Sequence, residues 1–476
     1  MGEVLTEVPD GALPLARFAD LIGPRRAEAM VAAGARALEL LGSRTFWNVN
    51  STAAGGGVAE MLQTLVHYAR GAGVDARWLV LHGTPAFFTV TKRIHNCLHG
   101  FPGDACGFGD ADRQAYEAAL APVAAALCER VRPGEVVLLH DPQTAGLVPA
   151  LVRHGARVAW RCHVGTDTPN QYTAGAWAFL RPWLAEAHAH VFSRAAYVPD
   201  WLRAQGAWII PPSIDPFAVK NLPMSRARVR AIVGALGVAG PVPADGTAEY
   251  ERGDGTTGTI GREPLMVRGG PPPPRRAPLV VQVSRWDRLK DMSGVMTGFV
   301  QATRRLGHVH LALVGPSVEG VSDDPEGAAV YAECVEQWRA LPPPARARVA
   351  LVTLPMDDVQ ENAAMVNAIQ RHAAVVVQKS IQEGFGLTVT EAMWKRRPIL
   401  ASAVGGISDQ ITHDVHGLLV HDPHDHDEFA AHLCALLQHR GNARRLARNA
   451  YRRCVTQFLP PRHLTQYVEL LEALAG

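Results

Sequence analysis

Hydrophobic positions fall along this chain in two alternating rhythms. Short, nearly unbroken apolar runs recur at residues 45–50 (TFWNVN), 77–81 (RWLVL), 135–140 (EVVLLH), 157–164 (RVAWRCHV), 190–193 and 208–210. Such runs predict strands buried on both faces. Between them apolar residues recur at helical spacing, as in Val58, Met61, Leu62, Leu65, Val66 and Ala69. The alanine-rich residues 15–43 also read as helix. Strands alternating with helices predict a parallel sheet in an open α/β domain, which binds ligands at the carboxyl ends of its strands.

The rhythm stops over residues 237–278, which are Gly, Pro, Thr and charge, with four consecutive prolines at 271–274. That stretch has little apolar surface to bury and predicts a disordered or extended insertion. The alternation restarts at Leu279 (LVVQVSR, HVHLALVG, ARVALVT, AAVVVQKS, RPILAS), predicting a second α/β domain. Residues 1–220 form one expected domain and 221–455 the other. An amphipathic final helix within 456–476 carries Leu464, Tyr467, Val468, Leu471 and Leu474, and is expected to pack back on the first domain.

The most informative stretch is residues 375–395, VVVQKSIQEGFGLTVTEAMWK. A buried strand runs into a turn in which Gly384 and Gly386 bracket Phe385, and a helix starts at Leu387. Unpaired N–H groups and the positive helix dipole at such a place favour an anion. Glu383 sits in the turn and Glu391 about one helical turn on. Eight helical residues would separate them by about 12 Å, too far to share a proton. They suit two ends of one elongated polyol, such as the hexose and ribose of a nucleotide sugar; an ordinary turn with two surface glutamates is the competing reading. A second strand–glycine-loop–helix unit follows residue 50, with Gly56 and Gly57 placed to approach a phosphate or sugar, or simply to pack a tight turn. Arg285 and Lys290 follow the first strand of the second domain and can converge on a diphosphate.

Composition narrows the classes. The chain has 476 residues and a formal net charge of +2, so nothing demands a nucleic acid or a membrane surface. No apolar run reaches the length of a spanning helix. Seven cysteines without a CxxC pair suggest free thiols in a reducing, cytoplasmic setting. No GxGxxG fingerprint is present, which excludes a nicotinamide-dependent dehydrogenase reading. The His/Asp-rich residues 421–428 (HDPHDHDE) read as a solvated loop and helix start before they read as a metal site.

With SRWDRLKD, LVGP, QKSIQEGFGLTVTEAMWK and AVGGI, the second half resembles the retaining nucleotide-sugar glycosyltransferases of family 4. The resemblance implies the GT-B fold, two Rossmann-like α/β domains whose parallel sheets face a central cleft. NVNSTAAGGGVAEML, FFTVTKRIHNCLHG, HDPQTAGLVPALV, WRCHVGTDTPN and PPSIDPFAVKN are similar to the trehalose glycosyltransferring synthases, which join a nucleotide-diphosphoglucose to free glucose. Fungal-type trehalose phosphorylases share several of these blocks and remain the competitor; a silent sugar-nucleotide binder is the alternative of another class. By resemblance, Arg285 and Lys290 hold the diphosphate and Glu391 the ribose. Glu383 and the backbone of Gly384, Phe385, Gly386 and Leu387 cradle donor sugar and phosphate. Gly56 and Gly57 close over the phosphate, and His163 lies near the donor glucose. Asp141, Gln143, Lys92 and Asn96 are the candidate acceptor pocket. The family implies retention without a metal or other cofactor; the nucleotide-diphosphoglucose (UDP- or ADP-glucose among the options) is a substrate. Dimers are common among such enzymes, so a homodimer is open.

Overall fold

The computed structural model describes residues 4–9, 11–53, 57–104, 107–242, 247–318 and 325–475. The chain divides into two compact units, residues 1–214 with 458–476, and residues 215–457.

The first unit holds seven strands: β1 (Leu5–Glu7), β2 (Phe46–Asn50), β3 (Ala76–Leu81), β4 (Val136–His140), β5 (Arg157–Cys162), β6 (Ala189–Phe192) and β7 (Trp208–Ile209). Their order is β1-β3-β2-β4-β5-β6-β7. All pair in parallel except β1, which runs antiparallel to β3 with Leu5 opposite Leu81. Every residue of β2 and β4 is buried, as helices on both faces of a parallel sheet require. The long helix expected over 15–43 is broken: Gly23 at φ 82 ends one short helix, and Pro24 opens the next, Pro24–Leu41. A proline is suited to a first helical position because that N–H has no partner there anyway. The terminal helix Pro460–Ala475 belongs to this unit and buries Tyr467, Leu470, Leu471 and Leu474 in a cluster with Phe46, Trp78 and Leu138.

Ahead of its main sheet the second unit carries a helix, Arg226–Ala235, and a small hairpin, β8 (Glu249–Glu251) and β9 (Thr257–Thr259). Its main strands are β10 (Leu265–Arg268), β11 (Leu279–Val283), β12 (His310–Pro316), β13 (Val349–Leu354), β14 (Val375–Gln378), β15 (Ile399–Ser402) and β16 (Leu418–Val420). The order is β10-β13-β12-β11-β14-β15-β16, with β10 antiparallel at the edge. Each sheet steps outward from a founding strand, β2 or β11, and then returns to its other side with β4 or β14. Ligands bind at such a reversal of strand order.

Of the expected disordered or extended insertion at 237–278, the described part is extended and ordered. β10 adds to the open edge of β13, Leu265 opposite Thr353. Tyr250 and Ala248 are fully buried. Glu361 accepts from the backbone N–H groups of Gly261 and Arg262 at 2.8 and 2.9 Å. A segment too polar to build a core can still be ordered by borrowing a sheet edge, which also covers an edge otherwise open to pairing. Six of the seven cysteines are described, and all six are free. No helix among the described residues is long and apolar enough to cross a membrane.

Candidate active site

In the second unit the chain leaves β14 at Gln378 and enters the helix Leu387–Trp394 through Gly386, at φ 86. A Cβ on Gly386 would lie 3.1 Å from Glu383 Cγ, so both the left-handed backbone and the packing ask for glycine. Gly406 braces the turn from behind: a Cβ there would come within 2.5 Å of Phe385 Cα. Gln410 donates to the carbonyls of Phe385 and Gly386 while accepting from Thr390. No side chain caps the amides at the start of Leu387–Trp394, and its first turn holds no acid. The helix therefore offers an anion its positive end, a term of about 0.3–1 kcal/mol.

Glu383 is a buried, fully engaged carboxylate. Lys290 donates to both of its oxygens at 2.8 Å, Ser380 donates to Oε2 at 3.1 Å, and Gln378 to Oε2 at 3.3 Å. Lys290 is itself fixed by the short turn Arg288–Lys290, whose last carbonyl accepts from Gln282 at 2.6 Å. Alongside, the fully buried Lys379 pairs with Asp291. Asp291 does double work: at φ 48 it also caps the helix Met292–Thr303 through Gly294 N.

Glu391 forms the other pole. It lies 3.5 Å from the ammonium of Lys220 and accepts from Gln370 at 3.1 Å. The neighbouring Lys395 is held by Asn221 at 3.0 Å. Burial depresses its ammonium to about 7, against the pull of Glu391. The two glutamates thus flank one turn, each with its own lysine.

The first unit has a different chemistry at its own reversal. His140 at the end of β4 and His163 just after β5 stack with ring centroids 5.4 Å apart, Nδ1 of one 3.1 Å from Nε2 of the other. His140 reaches Asn48 on β2 at 3.3 Å. Burial holds both imidazoles well below their ordinary range, and the guanidinium of Arg161 adds to this. Asp141 sits at φ 64, a conformation that costs a non-glycine residue about 1 kcal/mol or more. Its Oδ1 accepts from His163 N at 2.8 Å and its carbonyl from Trp160 at 3.1 Å. Burial pushes the Asp141 carboxyl up to about 7, although Arg161 and the His163 amide pull it down. Arg161, fully buried, is bound by His463, Tyr467 and the carbonyl of Ile210. This anchors the terminal helix beneath the two histidines.

The sequence-derived candidates separate accordingly. Lys290, Glu383 and the Gly384–Leu387 turn come together, and Asp141 joins His163. Arg285 does not join Lys290's cluster; it is largely exposed and meets Asp287 at 3.4 Å. Lys92 is exposed on the helix Pro85–Leu98, with Asn96 half-buried one turn on. Gln143 is half-buried in the short helix Pro142–Leu147. Gly57 opens the helix Gly57–Gly71, exposed, and Gly56 lies outside the described residues. Near the metal-like run 421–428, His421 binds Glu428 at 2.6 Å and Asp425 caps the helix His426–Gln438. Sequence reasoning missed Asn48, His140, Arg161, Asp291, Lys379, Lys220 and Lys395. The one available signal was charge inside apolar runs, as in RVAWRCHV and VVVQKS.

Solved structures share this architecture. An α,α-trehalose-phosphate synthase (UDP-forming) from Burkholderia vietnamiensis matches with a TM-score of 0.64 at 15% identity, covering 90% of this chain and 97% of that one. The Anabaena protein Alr3699/HepE, solved with UDP and glucose, matches with a TM-score of 0.60 at 14% identity over 90% and 99%. The fold is that of a GT-B glycosyltransferase. Residues 48–199 match the family model of the trehalose synthase N-terminal domain, and residues 359–453 that of glycosyl transferases group 1. The trehalose synthase of Rubrobacter xylanophilus is 36% identical over 445 residues, 92% of each chain. The chain belongs to the trehalose synthase family. A trehalose phosphorylase from Pleurotus pulmonarius is 25% identical over 413 residues, covering 81% of this chain and 51% of that protein.

Proposed function

We propose that the chain transfers glucose, with retention, from a nucleotide-diphosphoglucose to free glucose, forming α,α-trehalose. The observation that carries this reading is the arrangement around the turn after β14: a lysine clamped by Glu383 beside an uncapped helix N-terminus, with Glu391 on the far side. As the glycosidic bond breaks, negative charge grows on the leaving diphosphate. Lys290 has three donors and commits two to Glu383, so its third can serve a phosphate oxygen without reorganisation. Arg285 adds a long, exposed guanidinium that can swing onto the same diphosphate. Preorganised charge of this kind is often the largest catalytic term. The leaving phosphate oxygen takes the proton of the acceptor hydroxyl, so no protein base is assigned.

Glu383 is met by four donor contacts, which suits an anion that positions Lys290 and orders sugar hydroxyls better than a covalent nucleophile. Glu391 binds the ribose. His163 and His140 present neutral imidazoles, and Asp141 a carboxyl that titrates at about 7, all suited to the hydroxyls of glucose. The reaction needs no metal or other cofactor in this reading, and the free, mostly buried cysteines suit the cytoplasm.

Trehalose phosphorolysis is the second reading, favoured by the match to the Pleurotus phosphorylase. The test is a product assay with glucose and each of UDP-, ADP-, GDP- and TDP-glucose in the presence of a chelator, beside trehalose with inorganic phosphate. Trehalose and a released nucleoside diphosphate support synthesis and name the base. Glucose 1-phosphate alone would replace it with phosphorolysis. Nucleotide binding with no product in any tube would leave a binding protein.

A further inference from the structure

The second unit carries another charged concavity, at the opposite ends of its strands. A cavity of about 780 Å³ opens where β11, β14 and β15 begin, next to Leu279, Ala374 and Pro398. Eight arginines line it, and no aspartate or glutamate does. They arrive from separate parts of the chain: Arg226 at the start of the helix Arg226–Ala235, Arg276 before β11, Arg397 before β15, and Arg440, Arg444 and Arg448 along the helix Arg440–Gln457. The last three follow one another at four-residue spacing, where like charges repel. That helix contains no acidic residue at all.

Folding alone gives no reason for this crowding. Arginines with a structural task show their partners: Arg445 on the same helix pairs with Asp414, and Arg397 donates to the carbonyls of Arg371 and Ala373. Arg226, Arg276, Arg440, Arg444 and Arg448 have no acidic partner among the described residues. Their mutual cost is visible at Arg397, held below its usual range by burial and then by the charge of Arg226. With a net charge of only +2 on the whole chain, the gathering is local. The volume lies within the roughly 300–1,000 Å³ typical of small-molecule sites, and Leu279, Leu436 and Leu437 supply apolar wall. A half-open concavity of this volume, with walls from separate elements, suits a compact ligand better than a nucleic acid, whose footprint spreads as a stripe or face.

We propose that this cavity binds a compact anion bearing two or more phosphoryl groups, at a site separate from the donor turn. The strands between the two places are four or five residues long, about 13–17 Å of rise, so one small ligand cannot occupy both.

The experiment is calorimetric titration of the full chain with inorganic triphosphate and, in parallel, with ATP. It is run on wild type, Arg444→Glu/Arg448→Glu, Arg226→Ala/Arg276→Ala and Arg285→Ala/Lys290→Ala, each checked by circular dichroism and thermal melting. Both cavity variants are expected to weaken triphosphate at least about tenfold, as loss of charge-assisted contacts implies, while the Arg285/Lys290 variant keeps that site. If the glutamate pair fails to fold, the milder alanine pair, on exposed positions, carries the comparison. Tighter binding of ATP than of triphosphate places the base on the leucine wall; equal binding restricts recognition to the phosphoryl chain. The proposal falls if no triphosphate binds, if binding is lost only with Arg285 and Lys290, or if a short DNA duplex binds the cavity more tightly than either anion.

Discussion

The two sheets reverse their strand order in the same way, yet they line the reversal with opposite chemistry. Where β2 meets β4 burial suppresses charge: His140 and His163 stay neutral, and Asp141 is pushed up to about 7. Where β11 meets β14 the groups are ionic and paired, Lys290 with Glu383 and Lys379 with Asp291, and Lys220 stands beside Glu391 further along. One scaffold can therefore serve two ligand chemistries. Neutral donors and acceptors suit hydroxyls, which need hydrogen bonds without charge. Fixed cations beside a helix N-terminus suit a diphosphate, whose charge grows during reaction. The fold supplies the place, and the side chains supply the chemistry.

The comparison breaks most readily at Lys290. Lys290→Ala is expected to lower kcat by about 10²–10³-fold, the usual loss for one preorganised charge-stabilising donor, in a steady-state assay with the active nucleotide sugar. A larger loss from any residue of the first unit would reverse the assignment of charge stabilisation to the second. Next comes Glu391→Gln, which removes the carboxylate 3.5 Å from the Lys220 ammonium and the charge that holds up the buried Lys395. Leaving such a partner unmatched costs about 1–3 kcal/mol, readable in urea unfolding. Adding Lys220→Met should recover part of the stability without recovering nucleotide affinity.

A smaller effect is expected from Asp141→Asn, and it is diagnostic in pH. The wild-type carboxyl sits near 7, raised from 3.8. Its contribution to stability is thus fully present below 3.8 and lost as pH rises through about 7, since the native state holds the proton longer. If the ionised form orders the acceptor, kcat/KM for glucose rises through the same region. Asparagine should flatten both profiles; an unchanged activity profile would remove Asp141 from the acceptor site. His163→Ala should do least, raising KM for the nucleotide-diphosphoglucose about fivefold, the worth of one uncharged hydrogen bond, with kcat nearly constant.

Much of the second unit's site was legible because it is local. Glu383, Gly386, Leu387 and Glu391 lie within nine residues, and a strand–glycine turn–helix pattern orients them whatever surrounds it. Gly386 could be read as a turn residue, and the structure adds the reason for glycine, a positive φ against Glu383 and Ile407. The pairing of Lys290 with Glu383 was not legible. It joins residues 93 apart, and Lys290 read more naturally as a partner of Arg285. The buried ionic and imidazole groups were invisible for the same reason. Arg161 looks like any arginine in RVAWRCHV until His463 and Tyr467, from a helix some 300 residues later, close over it. The order within the insertion at 237–278 was not legible because composition reports what a segment can bury alone, whereas β10 is ordered by pairing with β13.

Sequence alone determined the strand and helix rhythm, the two-domain α/β class and the glycine turn, because backbone sterics and hydrophobic period act over a few residues. Tertiary structure decided which charges meet, which groups lose their charge and where eight arginines gather. Those outcomes depend on burial and on distance between residues far apart in the chain, and neither is written in local order.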